Sequence, residues 1–258
     1  MITFIDADLV AYRCAAGSEN ETEDVAVFRT NELMRLILHD TGATEHAAFL
    51  SGTGNFRKTV DPLYKANRTQ EKPKWLETLK EHLVLFWGAA VTEDIEADDA
   101  IGIASQECFY DGGAYIIASL DKDFLQLPGR HFQWEFSGTT VKKLSDGTKE
   151  YNKWTKPAQH LFVTPNDGLR WFYQQMLIGD VSDNVVGVAG VGKVRAAKLI
   201  EPLDDELDMY NTVFNLYDDK ERFEKNAQLL WILKHSIQPT EVLSHFLSLQ
   251  KPAEEAGL

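Results

Sequence analysis

Four short stretches of this sequence gather carboxylates at spacings that suit divalent cations. Asp180 and Asp183 are three residues apart in Ile-Gly-Asp-Val-Ser-Asp-Asn, so on a helical turn both project to the same side, a spacing suited to one bound metal. Glu96, Asp98 and Asp99 crowd the start of a helical pattern whose buried face is Ala97, Ile101, Ala104 and Cys108. The helix dipole favours acids in a first turn, yet three nearly adjacent carboxylates repel one another unless a cation joins them. Asp121 and Asp123 follow a continuous apolar run, and at i and i+2 of an extended strand end they share one face. Asp6 closes a short apolar run, where it either points into the crevice at a strand's carboxyl end or simply caps the next helix. No His or Cys accompanies these eight acids. An all-oxygen donor set matches hard Mg²⁺ or Mn²⁺, two or more ions, and not zinc.

A second chemistry begins directly behind Asp183. Gly187, Gly190 and Gly192 let the backbone turn tightly and expose bare N–H groups; Lys193, Arg195 and Lys198 then follow on an Ala-rich helical pattern with no acid among them. A helix N-terminus, open amides and cations converge on one spot, so phosphate is the natural guest.

Positioning these groups calls for an α/β architecture. Strands are expected at residues 3–6, 46–50, 114–120 and 131–136, separated by helical patterns near 9–14, over 25–40, over 73–87 and from residue 97. The apolar run 114–120 is of the kind buried on both faces of a parallel sheet. Thr164 and Pro165 supply an N-cap and first-turn proline for a helix that delivers the chain to Asp180. Val141–Leu144 and Lys149–Tyr151 flank Asp146-Gly147, a hairpin turn signal. The stripe of Trp75, Leu76, Leu79, Leu83, Phe86 and Trp87 either faces the core or lines a groove for unpaired bases. Pro202 and the acidic run 204–208 mark a boundary before C-terminal helices that include the apolar segment 229–233.

The chain has 258 residues, 44% of them hydrophobic, enough for one sizeable domain with a small appendage. It carries no run of ~18 apolar residues and opens directly into strand-like Ile-Thr-Phe-Ile, from which we expect no secretory leader, no membrane span and a cytoplasmic, monomeric protein. Cys14 and Cys108 fit buried thiols. A net charge of −14 argues against a nucleic-acid binder until its distribution is considered. Residues 201–258 contribute −7, and residues 1–200 become +1 once the eight acids above are set aside. Residues 57–82 hold seven Lys or Arg against four Asp or Glu, an excess that suits contact with a phosphate backbone or a plain exposed loop.

Taken in order, these motifs resemble the 5′ nuclease family of flap endonucleases and 5′-to-3′ exonucleases, with the bacteriophage members the nearest. The resemblance rests on Gly-Asp-x-x-Asp-Asn with Gly-Val-x-Gly-x-Gly at 179–192, on Glu-Ala-Asp-Asp at 96–99, on Asp-x-Asp at 121–123 and on Tyr-Lys-x-Asn-Arg at 64–68. It implies a PIN-like core with a mostly parallel central sheet flanked by helices over residues 1–178, a helical arch at about 57–88, a helix-three-turn-helix at 179–201 and a helical region at 202–258. It implies that the eight acids are metal ligands and that Lys65 and Arg68 approach the scissile phosphate. Duplex DNA with a 5′ end, flap or junction is the implied substrate, with RNA–DNA hybrids as a possible variant and K⁺ at the glycine turn. One departure stands out: where the family carries an Asp after the second strand, this chain has Ser51, which leaves open a DNA-binding protein with weak or lost cleavage.

Overall fold

The computed structural model describes residues 1–250 apart from 144–146, 236 and 239. The chain runs β1 (Ile2–Asp6), α1 (Ala7–Gly17), α2 (Glu23–Thr41), β2 (Glu45–Ser51), α3 (Arg57–Val60), α4 (Leu76–Trp87), β3 (Ala90–Thr92), α5 (Ala97–Tyr110) and β4 (Tyr115–Ala118). After a 3₁₀ turn at Lys122–Gln126 come β5 (Gly129–Gln133), β6 (Phe136–Lys143), β7 (Lys149–Lys156), β8 (Gln159–Val163) and α6 (Pro165–Ile178). The remainder is β9 (Gly179–Asp180), β10 (Val185–Val186), α7 (Lys193–Ile200), α8 (Glu206–Phe214), α9 (Lys220–Leu230) and α10 (Glu241–Leu249). No helix among the described residues is long and apolar enough to cross a membrane.

The expected α/β architecture is present. Six strands form one sheet in the order β3-β2-β1-β4-β5-β8, all parallel except β8. β1 sits between β2 and β4, with Phe4 opposite Ala47 and Ile117, and Ile5 opposite Ala48 and Ala118. Alternation then sorts the side chains by face. Ile5, Ile116 and Ala118 pack under α1, α2 and α4, whereas Phe4 and Ile117 pack with Ile101 of α5 on the other side.

Of the two readings of the apolar stripe on α4, the structure shows the core-facing one: Leu76, Leu79 and Leu83 bury against α1 and α2. Two features depart from expectation. The strand expected over 131–136 is broken at the buried Trp134, and a long hairpin, β6 paired with β7, leaves the sheet instead. The hairpin's Leu144 and Asp146 lie outside the described residues. Finally, the apolar segment 229–233 leaves α9 at Leu230, and Trp231, Ile232 and Leu233 continue as buried, non-helical chain. Side chains meet its backbone. Gln126 Nε2 donates to the Leu230 carbonyl at 2.6 Å, and the Ile232 N–H donates to Gln126 Oε1 at 3.2 Å. With its polar groups satisfied in this way, the segment can bury every side chain, which a surface helix cannot.

The C-terminal helices share one core with the rest. Phe223, Ala227, Val242 and Phe246 join Phe172, Tyr173 and Met176 of α6 and also Phe56, Tyr64 and Ile95.

Candidate metal centre and nucleic-acid interface

Parallel strands end on one edge of the sheet, and that edge opens into a cleft of about 480 Å³. Asp6 arrives at the end of β1 and fills both roles its position allows. Its Oδ1 accepts the Leu9 N–H at 3.0 Å, capping α1, while its Oδ2 accepts the Ser119 hydroxyl at 2.8 Å. Asp121 follows β4 and also lines the cleft, as do Glu96 and Asp98 at the start of α5. Asp121 and Asp123 do not continue the strand, as the spacing suggested. Asp121 caps the 3₁₀ turn and accepts the Asp123 N–H at 2.9 Å.

Asp180 and Asp183 are not on a helical turn either. Gly179–Asp180 pairs antiparallel with Val185–Val186, and Asp183 lies in the tight connection between them. The two acids therefore diverge. Asp180 accepts from Lys122 Nζ at 2.7 Å, in a group with Asp123, which also accepts from Gln175 Nε2 at 2.6 Å. Asp183 accepts from Arg68 at 2.6 Å and from the Tyr64 hydroxyl at 2.9 Å, and the same hydroxyl is 2.9 Å from Glu96. Lys65 Nζ is bonded to Glu96 and lies 3.6 Å from Asp183. Its backbone is left-handed, with φ +58°, and is held there by the Lys65 N–H donating to the Asp183 carbonyl at 3.0 Å. A non-glycine residue in that region is strained, and the surrounding bonds must keep it there. The arrangement docks the basic 63–68 loop onto the 180–184 turn, so Lys65 and Arg68 face the cleft.

Asp99 does not reach this cleft. It is fully buried, and its two oxygens take Arg57 Nη1 and Nη2 at 2.6 and 2.8 Å. Arg57 also donates to the Leu229 and Trp231 carbonyls, at 3.0 and 2.6 Å. Burial alone would depress the guanidinium, and the Asp99 carboxylate overrides it to hold Arg57 well above its usual range. In this structure Asp99, expected from the resemblance as a metal ligand, lies away from the cleft and anchors a buried arginine. Nothing local to Asp99 signalled that pairing, because Arg57 lies 42 residues away and reads as one more cation of a basic loop. Lys122 was likewise missed, although its place between two acids in Asp-Lys-Asp was the available signal.

Ser51 has a defined structural job. Its Oγ accepts the Ala97 N–H at 2.9 Å at the start of α5, and its own N–H donates to Asp8 Oδ2 at 2.7 Å. A carboxylate thus reaches this corner from α1, where Asp8 Oδ1 is also 2.7 Å from Lys80 Nζ.

The carboxylates divide electrostatically. Burial tends to raise Glu96, but Lys65 and Arg57 pull it below the usual carboxylate range; hydrogen bonds from Lys122 and Ser182 similarly outweigh burial at Asp180. Burial pushes Asp6 up to about 7, with Asp8 and Asp121 adding to it, and raises Asp98 well above its usual value alongside Asp99 and Glu96. Asp123 rises to about 6 through burial and the neighbouring Asp121. Among the described residues, Asp6, Asp98 and Asp121 have no Lys or Arg within ion-pair distance. No group of three or more acids, His or Cys among the described residues forms a ready-made ion site as it stands. The donor chemistry nevertheless fits hard divalent cations: carboxyl oxygens line one cleft, and Asp6 and Asp98 are raised by burial, with neighbouring acids adding to it.

Comparison with known proteins bears on this arrangement. A family model described as "5′-3′ exonuclease, N-terminal resolvase-like domain" matches residues 1–155. The chain belongs to the 5′-3′ exonuclease family. The 5′-3′ exonuclease of Mycoplasma pneumoniae is 28% identical over 202 residues, covering 76% of this chain and 63% of that protein. The exonuclease of Escherichia phage T7 is 29% identical over 172 residues, covering 64% and 50%. DNA polymerase I of Bacillus caldotenax is 28% identical over 211 residues, and the match spans 77% of this chain but 23% of that protein. A bacteriophage T5 flap endonuclease, solved with DNA and metal ions, superposes with a TM-score of 0.64 at 14% identity, covering 97% of this chain and 93% of that one. This last likeness establishes the fold.

The 5′-3′ exonuclease family match ends inside the β6–β7 hairpin, so the glycine-lysine segment lies beyond it. α6 and α7 pack together through Phe172, Met176 and Ala196, joined by the β9–β10 pair and the glycine loop. Gly187 is required by packing: a Cβ there would meet Leu177 O and Ile178 C at 2.4 Å. Gly190, at φ +74°, and Gly192 face open space. Lys193, Arg195 and Lys198 on α7 are exposed, with no ion pair among the described residues. Open amides, a helix start and exposed cations therefore do coincide.

The raised carboxyls set an expected pH response. A carboxyl whose folded value is raised stabilises the fold fully below its unfolded value, and that contribution is lost as pH rises through the folded value. For Asp6 the window is from 3.8 to about 7. Melting temperature in EDTA should fall across this window, and Mg²⁺ should restore it increasingly as pH rises. An increment from Mg²⁺ that stays constant with pH would contradict the assignment.

Proposed function

We propose that this protein is a divalent-metal-dependent 5′ nuclease that hydrolyses DNA phosphodiesters at 5′ ends, flaps or junctions and releases 5′-phosphorylated products. The observation that carries the reading is the carboxylate cleft at the carboxyl edge of the parallel sheet, with Lys65 and Arg68 at its rim. Asp6, Asp98 and Asp121 would hold the first share of divalent charge, with Glu96, Asp123, Asp180 and Asp183 close by. Bound ions supply an activated water and offset charge on the attacking and leaving oxygens. Lys65 and Arg68 orient the reacting phosphate and offset the charge that develops on it. In the structure both cations are already turned inward by Glu96 and Asp183, so little reorganisation precedes their use. The Gly190–Lys198 segment grips duplex phosphates without reading bases, as exposed amides and cations do.

The test is a 5′-labelled flap substrate incubated with and without Mg²⁺. Metal-dependent release of a short labelled fragment is expected, and Lys65→Ala should slow single-turnover cleavage about 10²-fold. The absence of a carboxylate at Ser51 favours a second reading, a structure-specific DNA binder, for which the substrate would be retained in a gel and left intact.

A further inference from the structure

The β6–β7 hairpin is not needed for the cleft, yet its composition runs against the rest of the chain. Residues 136–156 hold five lysines and two acids, Asp146 and Glu150, in a protein of net charge −14. The register sorts these charges. In an antiparallel pair directly opposed residues share a face, and faces alternate along the strand. One face carries Phe136 with Lys156, Gly138 with Trp154, Thr140 with Asn152 and Lys142 with Glu150. The other carries Ser137 with Thr155, Thr139 with Lys153, Val141 with Tyr151 and Lys143 with Lys149. The first face is packed, and one of its two lysines is opposed by an acid. Trp154 Nε1 donates to Thr140 Oγ1 at 3.1 Å, Trp154 meets Phe136 edge-on at 5.5 Å, and Lys142 faces Glu150.

The second face has three lysines, hydroxyls, an exposed Tyr151 and no acid. No ion pair reaches Lys143, Lys149 or Lys153 among the described residues. Lys143 and Lys149 are opposed directly, an arrangement that is unfavourable unless an anion lies against it.

The hairpin also stands in a suitable place. It leaves the carboxyl end of β5, on the edge where Asp6 and Asp121 end or follow their strands. Its base is fixed to α1, which lines the cleft with Leu9 and Tyr12, by Arg13 lying 4.6 Å over the Phe136 ring.

We infer that the face bearing Lys143, Lys149 and Lys153 is a second contact for nucleic acid, holding the phosphodiester backbone of the strand or duplex whose reacting phosphate enters the cleft. This rests on the nuclease reading and extends the substrate contact to a separate arm. Contacts from lysine to phosphate carry no sequence information, and each adds about one unit to the dependence of log Kd on log salt.

The test compares the wild-type chain, the triple variant Lys143→Ala, Lys149→Ala, Lys153→Ala and the control Lys142→Ala on labelled blunt DNA duplex and labelled single strand across a salt series. The triple variant should weaken binding to at least one probe by about tenfold or more at low salt and reduce its salt slope by about two to three, with turnover at saturating substrate and melting temperature unchanged. Lys142→Ala should match wild type. Retained affinity and slope on both probes, in a wild type that binds and cleaves, would overturn the hairpin contact alone. A wild type that bound neither probe would overturn the nuclease reading as well.

Discussion

Asp121→Asn is expected to cut Mg²⁺-dependent cleavage by about 10³-fold while leaving DNA binding within a few-fold. Asp121 faces the cleft, and no protein cation neutralises it among the described residues. Its side chain also accepts the Asp123 N–H, which an amide oxygen still does, so the turn should survive the change. What disappears is a negative donor for a divalent ion whose contribution to the transition state is several kcal/mol, and 1.36 kcal/mol corresponds to tenfold in rate. Single-turnover cleavage and equilibrium binding of the same flap substrate separate the two effects. Wild-type turnover in this variant would remove Asp121 from the centre and with it the proposed site.

The second large effect is on stability. Asp99→Ala should destabilise the fold by about 3–5 kcal/mol, because buried Arg57 would lose its bidentate partner and keep only the longer 3.4 Å pair to Glu96. For a chain of this size that corresponds to a drop of about 10 °C in melting temperature. The loss should appear in EDTA as well as in Mg²⁺, since the ion pair is internal. Pairing Asp99→Leu with Arg57→Met should recover much of it, as apolar replacements of a buried ion pair often do. A variant that melted like wild type but no longer cleaved would instead return Asp99 to the metal centre.

Much of the fold was legible because its signals are local. The apolar run before Asp121 read as a strand buried on both faces, and Thr164-Pro165 marked the start of α6 where the structure has it. The acids that line the cleft were legible as types: Asp6, Glu96, Asp98 and Asp121 meet there from two strand ends and one helix start. Spacing misled where it assumed the wrong backbone. Asp180 and Asp183 would share a side on a helix, but a β turn sends one to Lys122 and the other to Arg68. The stripe on α4 satisfies an arch and a core layer equally well until α1 and α2 are seen against it.

The sequence by itself determined which chemical groups the protein has at its disposal: oxygen donors without His or Cys, a basic loop, and a glycine-opened helix start. It also determined the strands that carry these groups, since periodicity and capping act within a few residues. Tertiary structure alone decided which carboxylate keeps a buried arginine company and which remains short of positive charge. That choice depends on contacts between residues far apart in the chain, such as Arg57 with the Leu229 and Trp231 carbonyls and Asp8 with Ser51, and local physical chemistry contains no term for them.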